Sequence, residues 1–513
     1  SILYKNLNIH YYDKLRVRPN MLYRWMNYQQ FVRSKQMRAS NRTRLYSQYR
    51  QEQVQEKLSQ LGIFSYLDMQ YAPRDTTAAC DTLDVTMQAT FAKPLDAELE
   101  LNVVTKSNDQ TGPGASFGVT RNNVFGGGES WNVKLKGSYE WQTGGGEKSS
   151  LMNSWEMGLS TSLTFPRVVF PHLGKREFDF PATTTFRLYI NQLNRAKYYK
   201  LLSFGGNATY DFQPSRTSRH SITPFKLTFN VLQHQSEDFK EIAEANPALY
   251  VSLRNQFIPV MEYTYTYDNA SVRRIKNPIW WQSTVTSAGN ITSLIYRAFG
   301  KPFNEEDKSL LGAPFAQFVK LNTELRHLWN IDKNNAIASR MAVGALFTYG
   351  NATIAPYSEQ FYVGGANSIR AFTVRSVGPG GYHPEEGKYS YLDQTGTFRF
   401  EANVEYRFRI FKSFWGATFL DAGNVWLLRK DRKLLADGTE ARPNSQLRLK
   451  TFPKQIALGT GVGIRYDMDI LVFRLDFGIP LHLPYDTDRS GYYNVTGAFL
   501  KNLGIHFAIG YPF

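Results

Sequence analysis

Phe398-Arg-Phe-Glu-Ala-Asn-Val-Glu-Tyr-Arg-Phe-Arg-Ile410 alternates without a break. Phe398, Phe400, Ala402, Val404, Tyr406, Phe408 and Ile410 fall on one side, and Arg399, Glu401, Asn403, Glu405, Arg407 and Arg409 on the other. Successive side chains of a strand point to opposite faces, so this stretch is a strand with one apolar, aromatic-rich face and one charged face. Trp131 to Trp141 repeats the pattern: Trp131, Val133, Leu135, Gly137, Tyr139 and Trp141 lie opposite Asn132, Lys134, Lys136, Ser138 and Glu140. Soluble sheets also alternate, so the period alone does not choose between a sandwich and a membrane barrel. Number, length and charge placement do choose. Strands of roughly ten residues or more, capped by aromatics on the apolar side and recurring along the chain, fit hydrocarbon outside and a polar lumen inside.

Outward from these two stretches, sixteen segments read as strands: 97–105, 114–122, 130–142, 153–165, 183–194, 200–212, 220–235, 256–268, 278–290, 316–330, 335–349, 394–410, 414–427, 454–468, 469–482 and 502–513. Connections after odd-numbered segments include the long stretches 236–255, 291–315, 350–393, 428–453 and 483–501. Those after even-numbered segments include the short 332–335, 411–413 and 468–469. Long loops outside and short turns on the periplasmic side are the habit of single-chain outer-membrane barrels with an even strand number. A short third outer loop and a long stretch at 166–182 depart from it. The predicted fold class is mainly β, a 16-stranded antiparallel transmembrane β-barrel over 95–513 behind an α+β domain over 1–94.

That first domain is compact and basic. Ile2 to Ile9 alternates weakly like a strand, Pro19 opens a short helix carrying Met21, Leu22 and Trp25, and a second helix is expected from Arg42 to Leu61. Pro suits a first helical turn, and Gly62 ends the second helix. Strands at Ser65 to Tyr71 and Thr82 to Thr90 follow. Residues 1–60 hold 12 Lys and Arg against 3 Asp and Glu, so they carry +9 of the chain's net charge of +16. No nucleic-acid-binding signature accompanies them, and contact with anionic lipid headgroups or an acidic partner is the better expectation.

Composition narrows the function classes. The chain has 513 residues, 15% of them aromatic, a mean hydropathy of -0.41 and no run of apolar residues long enough for a membrane helix. Ser1 is preceded by no signal-peptide pattern, so a secretory signal, if there was one, is expected to have been removed. A single cysteine, Cys80, gives no disulfide framework and no metal spacing. Gly126-Gly-Gly and Gly144-Gly-Gly lack a following helix and a Lys-Ser/Thr, so they cradle no phosphate. Gly114-Ala-Ser-Phe-Gly118 has Gly-x-Ser-x-Gly spacing but lies inside the expected strand 114–122 with no helix after it, so it makes no nucleophile elbow, and no His-Glu-x-x-His occurs. The expectation is a non-enzyme without cofactor or metal.

One loop stands out. Phe361-Tyr-Val-Gly-Gly-Ala-Asn-Ser-Ile-Arg-Ala-Phe372 sets Arg370 between Ile369 and Phe372, just after Gly364-Gly365, inside the long connection 350–393. So long a loop is either without structure or folded back onto something. A guanidinium folded inward requires carboxylates, and the strands downstream offer Glu405 and Asp421.

Together these stretches resemble the BamA/TamA outer-membrane assembly superfamily. Residues 1–94 are similar to a polypeptide-transport-associated (POTRA) domain. Ser368-Ile-Arg-Ala-Phe372 is similar to the family's sixth-loop Val/Ile-Arg-Gly-Phe motif, with Ala371 in place of the usual Gly. Phe419-Leu-Asp-Ala-Gly-Asn-Val-Trp426 looks like the thirteenth-strand motif, and Gly461-Val-Gly-Ile-Arg465 with Phe473-Arg-Leu-Asp-Phe477 and Pro480 looks like the next two strands. A Bacteroidetes-type member fits. The Ala at 371 puts any positive-φ backbone there in question. The resemblance implies a protein insertion or translocation factor, with Arg370 anchored to Asp421 and Glu405 by a loop that Gly364, Gly365 and Phe372 shape. It implies a weak seam between a first strand bearing Leu99, Leu101 and Val103 and a last strand, Leu503 to Phe513, bearing Ile505, Phe507, Ile509 and Phe513. Its expected partners are unfolded outer-membrane protein clients, outer-membrane lipids and periplasmic or lipoprotein accessory subunits, with no nucleic acid. A passive porin and a dedicated two-partner secretion pore remain alternatives.

Overall fold

A computed structural model of the chain describes residues 1–513 apart from 6, 29–47, 78–79, 81, 106–109, 143–152, 172–180, 196–197, 238, 242–255, 271–274, 301–308, 311–312, 316, 350–354, 385–392, 431–439, 469–470 and 498–501. Its dominant element is one 16-stranded antiparallel sheet. The strands are β5 (Leu95–Thr105), β6 (Gln110–Asn122), β7 (Ser130–Gln142), β8 (Ser154–Phe165), β9 (Ala182–Arg195), β10 (Tyr199–Phe212), β11 (Ser218–Gln235), β12 (Gln256–Asp268), β13 (Ile279–Ala288), β16 (Phe318–Asn330), β17 (Asn335–Thr348), β18 (Phe398–Phe411), β19 (Phe414–Trp426), β20 (Ala457–Asp467), β21 (Val472–His482) and β22 (Gly504–Ile509). Each pairs with the next in the chain. The connection from β13 to β16 holds a helix, α3 (Asn290–Ala298), and a small hairpin, β14 (Ser309–Leu310) with β15 (Ala313–Pro314).

The sixteen expected segments are these sixteen strands. Alternation decides their faces as expected: on β18, Val404, Tyr406, Phe408 and Ile410 are exposed while Glu401, Asn403, Glu405 and Arg407 are buried. Apolar outside and charged inside is the inverse of a soluble protein and the pattern of a lipid-embedded barrel. The interior also holds an apolar cluster in which Ile369, Phe372, Val363 and Phe361 of the sixth loop pack against Leu346, Val425 and Ala457.

Several boundaries differ from expectation. Residues 394–397 belong to the sixth loop, and the stretch before β20 is a 3-10 turn, Phe452–Gln455. The last strand stops at Ile509, because Gly510 takes φ 89° and turns the chain off the ladder. The helix α3 was not foreseen, although Gly289 and Gly300 bracket it. The third outer connection is indeed short.

The leading unit contains β1 (Ile2–Tyr4), β2 (Leu7–Ile9), α1 (Pro19–Tyr28), α2 (Gln48–Gln60), β3 (Phe64–Pro73) and β4 (Leu83–Phe91). The expected first strand is thus a hairpin, turned at Lys5 with φ 54°, and β1–β2 and β3–β4 form separate two-stranded sheets. Positions 42–47 of the expected second helix lie outside the described residues. Two small cores hold the unit: Ile9, Val17, Met21, Leu22 and Ile63 in one, Met26, Val54, Leu58 and Met69 in the other. It is fastened to the barrel at the β6–β7 turn, where the Arg18 amide donates to the Gly126 carbonyl at 2.7 Å and the Asn123 side chain donates to the Arg16 carbonyl at 2.6 Å. The longer connection after β8 has a use here, since Pro166 and Arg167 border the same junction.

Candidate functional site

The sixth loop enters the barrel through a bridge between Phe361 and Gly396 and then doubles back. The Gly365 amide donates to the Phe372 carbonyl at 2.8 Å, and the Arg375 amide to the Val363 carbonyl at 3.0 Å. Gly364 and Gly365 sit at φ 101° and 94°, and a Cβ on Gly364 would lie 2.1 Å from the Thr373 carbonyl oxygen, so only glycine makes this turn. Ala371 is not among the residues of positive φ, which removes the difficulty that its replacement of glycine raised.

The turn delivers Arg370 to the inner wall, where its side chain is 0% exposed. Asp421 of β19 takes its guanidinium from two sides, Oδ2 from Nε at 2.8 Å and Oδ1 from Nη2 at 2.9 Å, and accepts the Arg370 backbone amide at 3.0 Å. Its Nη1 donates to Glu405 of β18, and the guanidinium carbon lies 3.5 Å from the centroid of the Phe419 ring. The expected anchor of Arg370, Asp421 and Glu405 is therefore assembled in one place. A fork-shaped donor meeting a carboxylate in two parallel bonds is the strongest form of such a contact.

Around this core lies a wider network that the sequence alone did not assemble. Arg465 of β20 bridges Glu405 at 2.9 Å and Asp476 of β21 at 2.6 Å, while Arg474 of β21 pairs with Asp476 at 3.2 Å. Arg474 also donates to the Ala366 carbonyl at 2.9 Å and the Asn367 side chain at 2.6 Å, holding the loop from its other flank. Arg407 of β18 donates to Glu405 at 2.7 Å. Asn403 joins Asp421 to the Ser368 carbonyl, each at 2.9 Å, and the Ser368 hydroxyl donates to Glu401 at 2.5 Å. The signal for these residues was available, because each charge falls on the inward side of an alternating strand. What alternation omits is height along the barrel, and hence which of them meet.

The wall is carved to receive the loop tip. Register places Gly459 of β20 opposite Asp421, and a Cβ there would lie 2.3 Å from that of Ala371. On β21, a Cβ at Gly478 would come 2.6 Å from the Arg370 carbonyl oxygen. That carbonyl accepts a hydrogen bond from Nε2 of His506 at 2.8 Å, so the loop tip also holds the last strand.

The edges of the sheet are β5 and β22, and no ladder joins them among the described residues. They are unequal, with 11 residues in β5 and 6 in β22. Leu99 and Leu101 on one, and Ile505 and Phe507 on the other, are 58% to 75% exposed, as lipid-facing side chains are. Ile509 shares that face less openly. The Val103 side chain lies outside the described residues. Phe513 corrects the expectation: it has left the strand and turned inward, where its carbonyl accepts from Arg407 at 3.2 Å while the Tyr511 ring sits 4.3 Å from the same guanidinium.

Comparison with known proteins agrees with this architecture. The family model described as "Omp85 superfamily domain" matches residues 123–513. Among solved structures, BamA from Haemophilus ducreyi lacking POTRA domains 1–3 is similar at a TM-score of 0.61 and 13% identity, covering 94% of this chain and 82% of that one. CdiB from Acinetobacter baumannii is similar at a TM-score of 0.45 and 12% identity, over 91% of this chain and 69% of that one.

Proposed function

Because the chain belongs to the Omp85 superfamily, whose members insert or translocate proteins at the outer membrane, we propose that it hands client strands into that membrane at the unpaired edges of its barrel. The observation that carries this reading is the seam: among the described residues the end strands of the 16-stranded sheet lie without a ladder between them, and one is little more than half the length of the other. Backbone donors and acceptors left open at a sheet edge are costly in hydrocarbon and form a template for an incoming strand. On this reading residues 1–94 form a POTRA-like domain in the periplasm that receives clients, helped by accessory subunits. The clamped sixth loop keeps the lumen from acting as an open pore and braces the wall beside the seam. The chemistry is physical, with no catalytic residue, cofactor or metal.

The test is a disulfide lock, with one cysteine in Leu95–Thr105 and one in Gly504–Ile509 on a Cys80→Ser background, read by an outer-membrane barrel assembly assay. Activity lost on oxidation and regained on reduction is expected. Undiminished activity in a demonstrably locked barrel would overturn the reading and move passage into the lumen, with the loop as a plug, as in a dedicated secretion pore.

A further inference from the structure

Where the leading unit meets the barrel, a cleft of about 1020 Å³ opens between the 11–19 segment, the end of β4 and the β6–β7 turn. Lys14, Arg16, Arg18, Lys93 and Arg121 line it, and Asp13 is the single carboxylate in its lining. All five cations are exposed, and among the described residues none forms an ion pair. Arg16 and Arg18 contribute backbone atoms to the joint, and the Arg16 guanidinium lies over the Phe91 ring that lines the cleft, 5.9 Å from its centroid. Five unpaired like charges around one concavity repel one another, and an anion in the cleft relieves that repulsion.

Register says where the cleft lies relative to the bilayer. Arg121 pairs with Leu95 on one side and Trp131 on the other, and Trp131 pairs with Leu163. Side chains paired across strands share a face, so Arg121 stands on the lipid side of the barrel in a row with Leu95, Trp131 and Leu163. It is the last outward-facing row of β5, β6 and β7 before those strands end at the leading unit. An outward arginine flanked by tryptophan at the edge of the apolar band is at headgroup level, where a long cationic side chain lies along apolar surface and keeps its charge at the polar boundary.

We propose that this cleft is a binding site for the phosphate of an anionic phospholipid in the leaflet on the leading unit's side, held at the foot of the first barrel strand. Arg121 meets the lipid from the barrel wall, and Lys14, Arg16, Arg18 and Lys93 meet it from the leading unit. Free phosphate has the same chemistry, but it has no reason to select a cleft whose rim includes a lipid-facing arginine. The site stands on its own, whether or not the seam opens.

The full chain in detergent, titrated with phosphatidylglycerol and followed by native mass spectrometry, tests this. Retention of phosphatidylglycerol over phosphatidylethanolamine is expected. The triple change Arg16→Gln, Arg18→Gln, Arg121→Gln should weaken it on the order of a hundredfold, at roughly one surface-charge contribution per residue. The corresponding triple change to Lys should retain it. Arg121→Gln alone, which touches no contact of the joint, should weaken it several-fold, and a gel shift on heating verifies that each barrel is folded. Equal binding by wild type and the Gln variants would overturn the proposal, as would displacement of the lipid by inorganic phosphate at the same concentration.

Discussion

Ala371 and Gly459 share one small space. The methyl of the first occupies room that the second leaves by having no side chain. Gly459→Ala should therefore lower stability by about 1 to 3 kcal/mol, as overpacking does, and Ala371→Gly in the same chain should restore most of the loss. Thermal unfolding in detergent checks both, and a Gly459→Ala variant as stable as wild type would show that the loop tip is not seated there. The charge pair beside it makes a second case. Asp421→Asn leaves a buried guanidinium without the carboxylate that holds it in two parallel bonds and should cost on the order of 3 kcal/mol. Asp421→Asn with Arg370→Gln should cost clearly less than the two changes added, since the two residues act on one contact. Strict additivity in that cycle would mean that the wall and loop are not coupled. Arg370, Asp421 and Glu405 were legible in the sequence because a tethered arginine demands carboxylates. Asp476, Arg465 and Arg474 were not, because their meeting depends on strand stagger that the period of two does not encode.

Strands were the most legible elements, since lipid on one side and water on the other impose an alternation that few other settings impose along so much of a chain. Ends were less so. β22 was expected to run to Phe513, and the reason it stops is local: Gly510 bends the backbone and Pro512 cannot donate to a ladder. Among the ties of so short a strand are its ladder with β21 and the bond from His506 to the Arg370 carbonyl. His506→Leu should release the inner side of β22, raising amide hydrogen exchange across Gly504–Ile509 about tenfold or more while leaving β19 and β20 unchanged, as expected of an element with few other ties. Unaltered exchange in β22 would show that the bond contributes nothing to the strand's placement.

At the scale of the molecule, the filled interior and the open edge belong together. Buried charges fasten the loop to β18, β19 and β21, Lys320 of β16 and Arg340 of β17 reach it from one flank, and His506 of β22 reaches it from the other, so the loop is tied to the wall from β16 to β22. Planar-bilayer recordings should accordingly find low, infrequent conductance for the intact chain and larger openings for Arg370→Ala. Steady porin-like conductance in the intact chain would count against a clamped loop. The leading unit, meanwhile, grips the barrel at two places. Its chain runs directly into β5, and its Arg16 and Arg18 backbones clasp the turn between β6 and β7. Two points of attachment make a lever. A pull on the leading unit is transmitted as torque to β5, β6 and β7 together, whereas β22 across the seam receives none of it directly, so a mechanical load on that unit falls on one side of the seam alone.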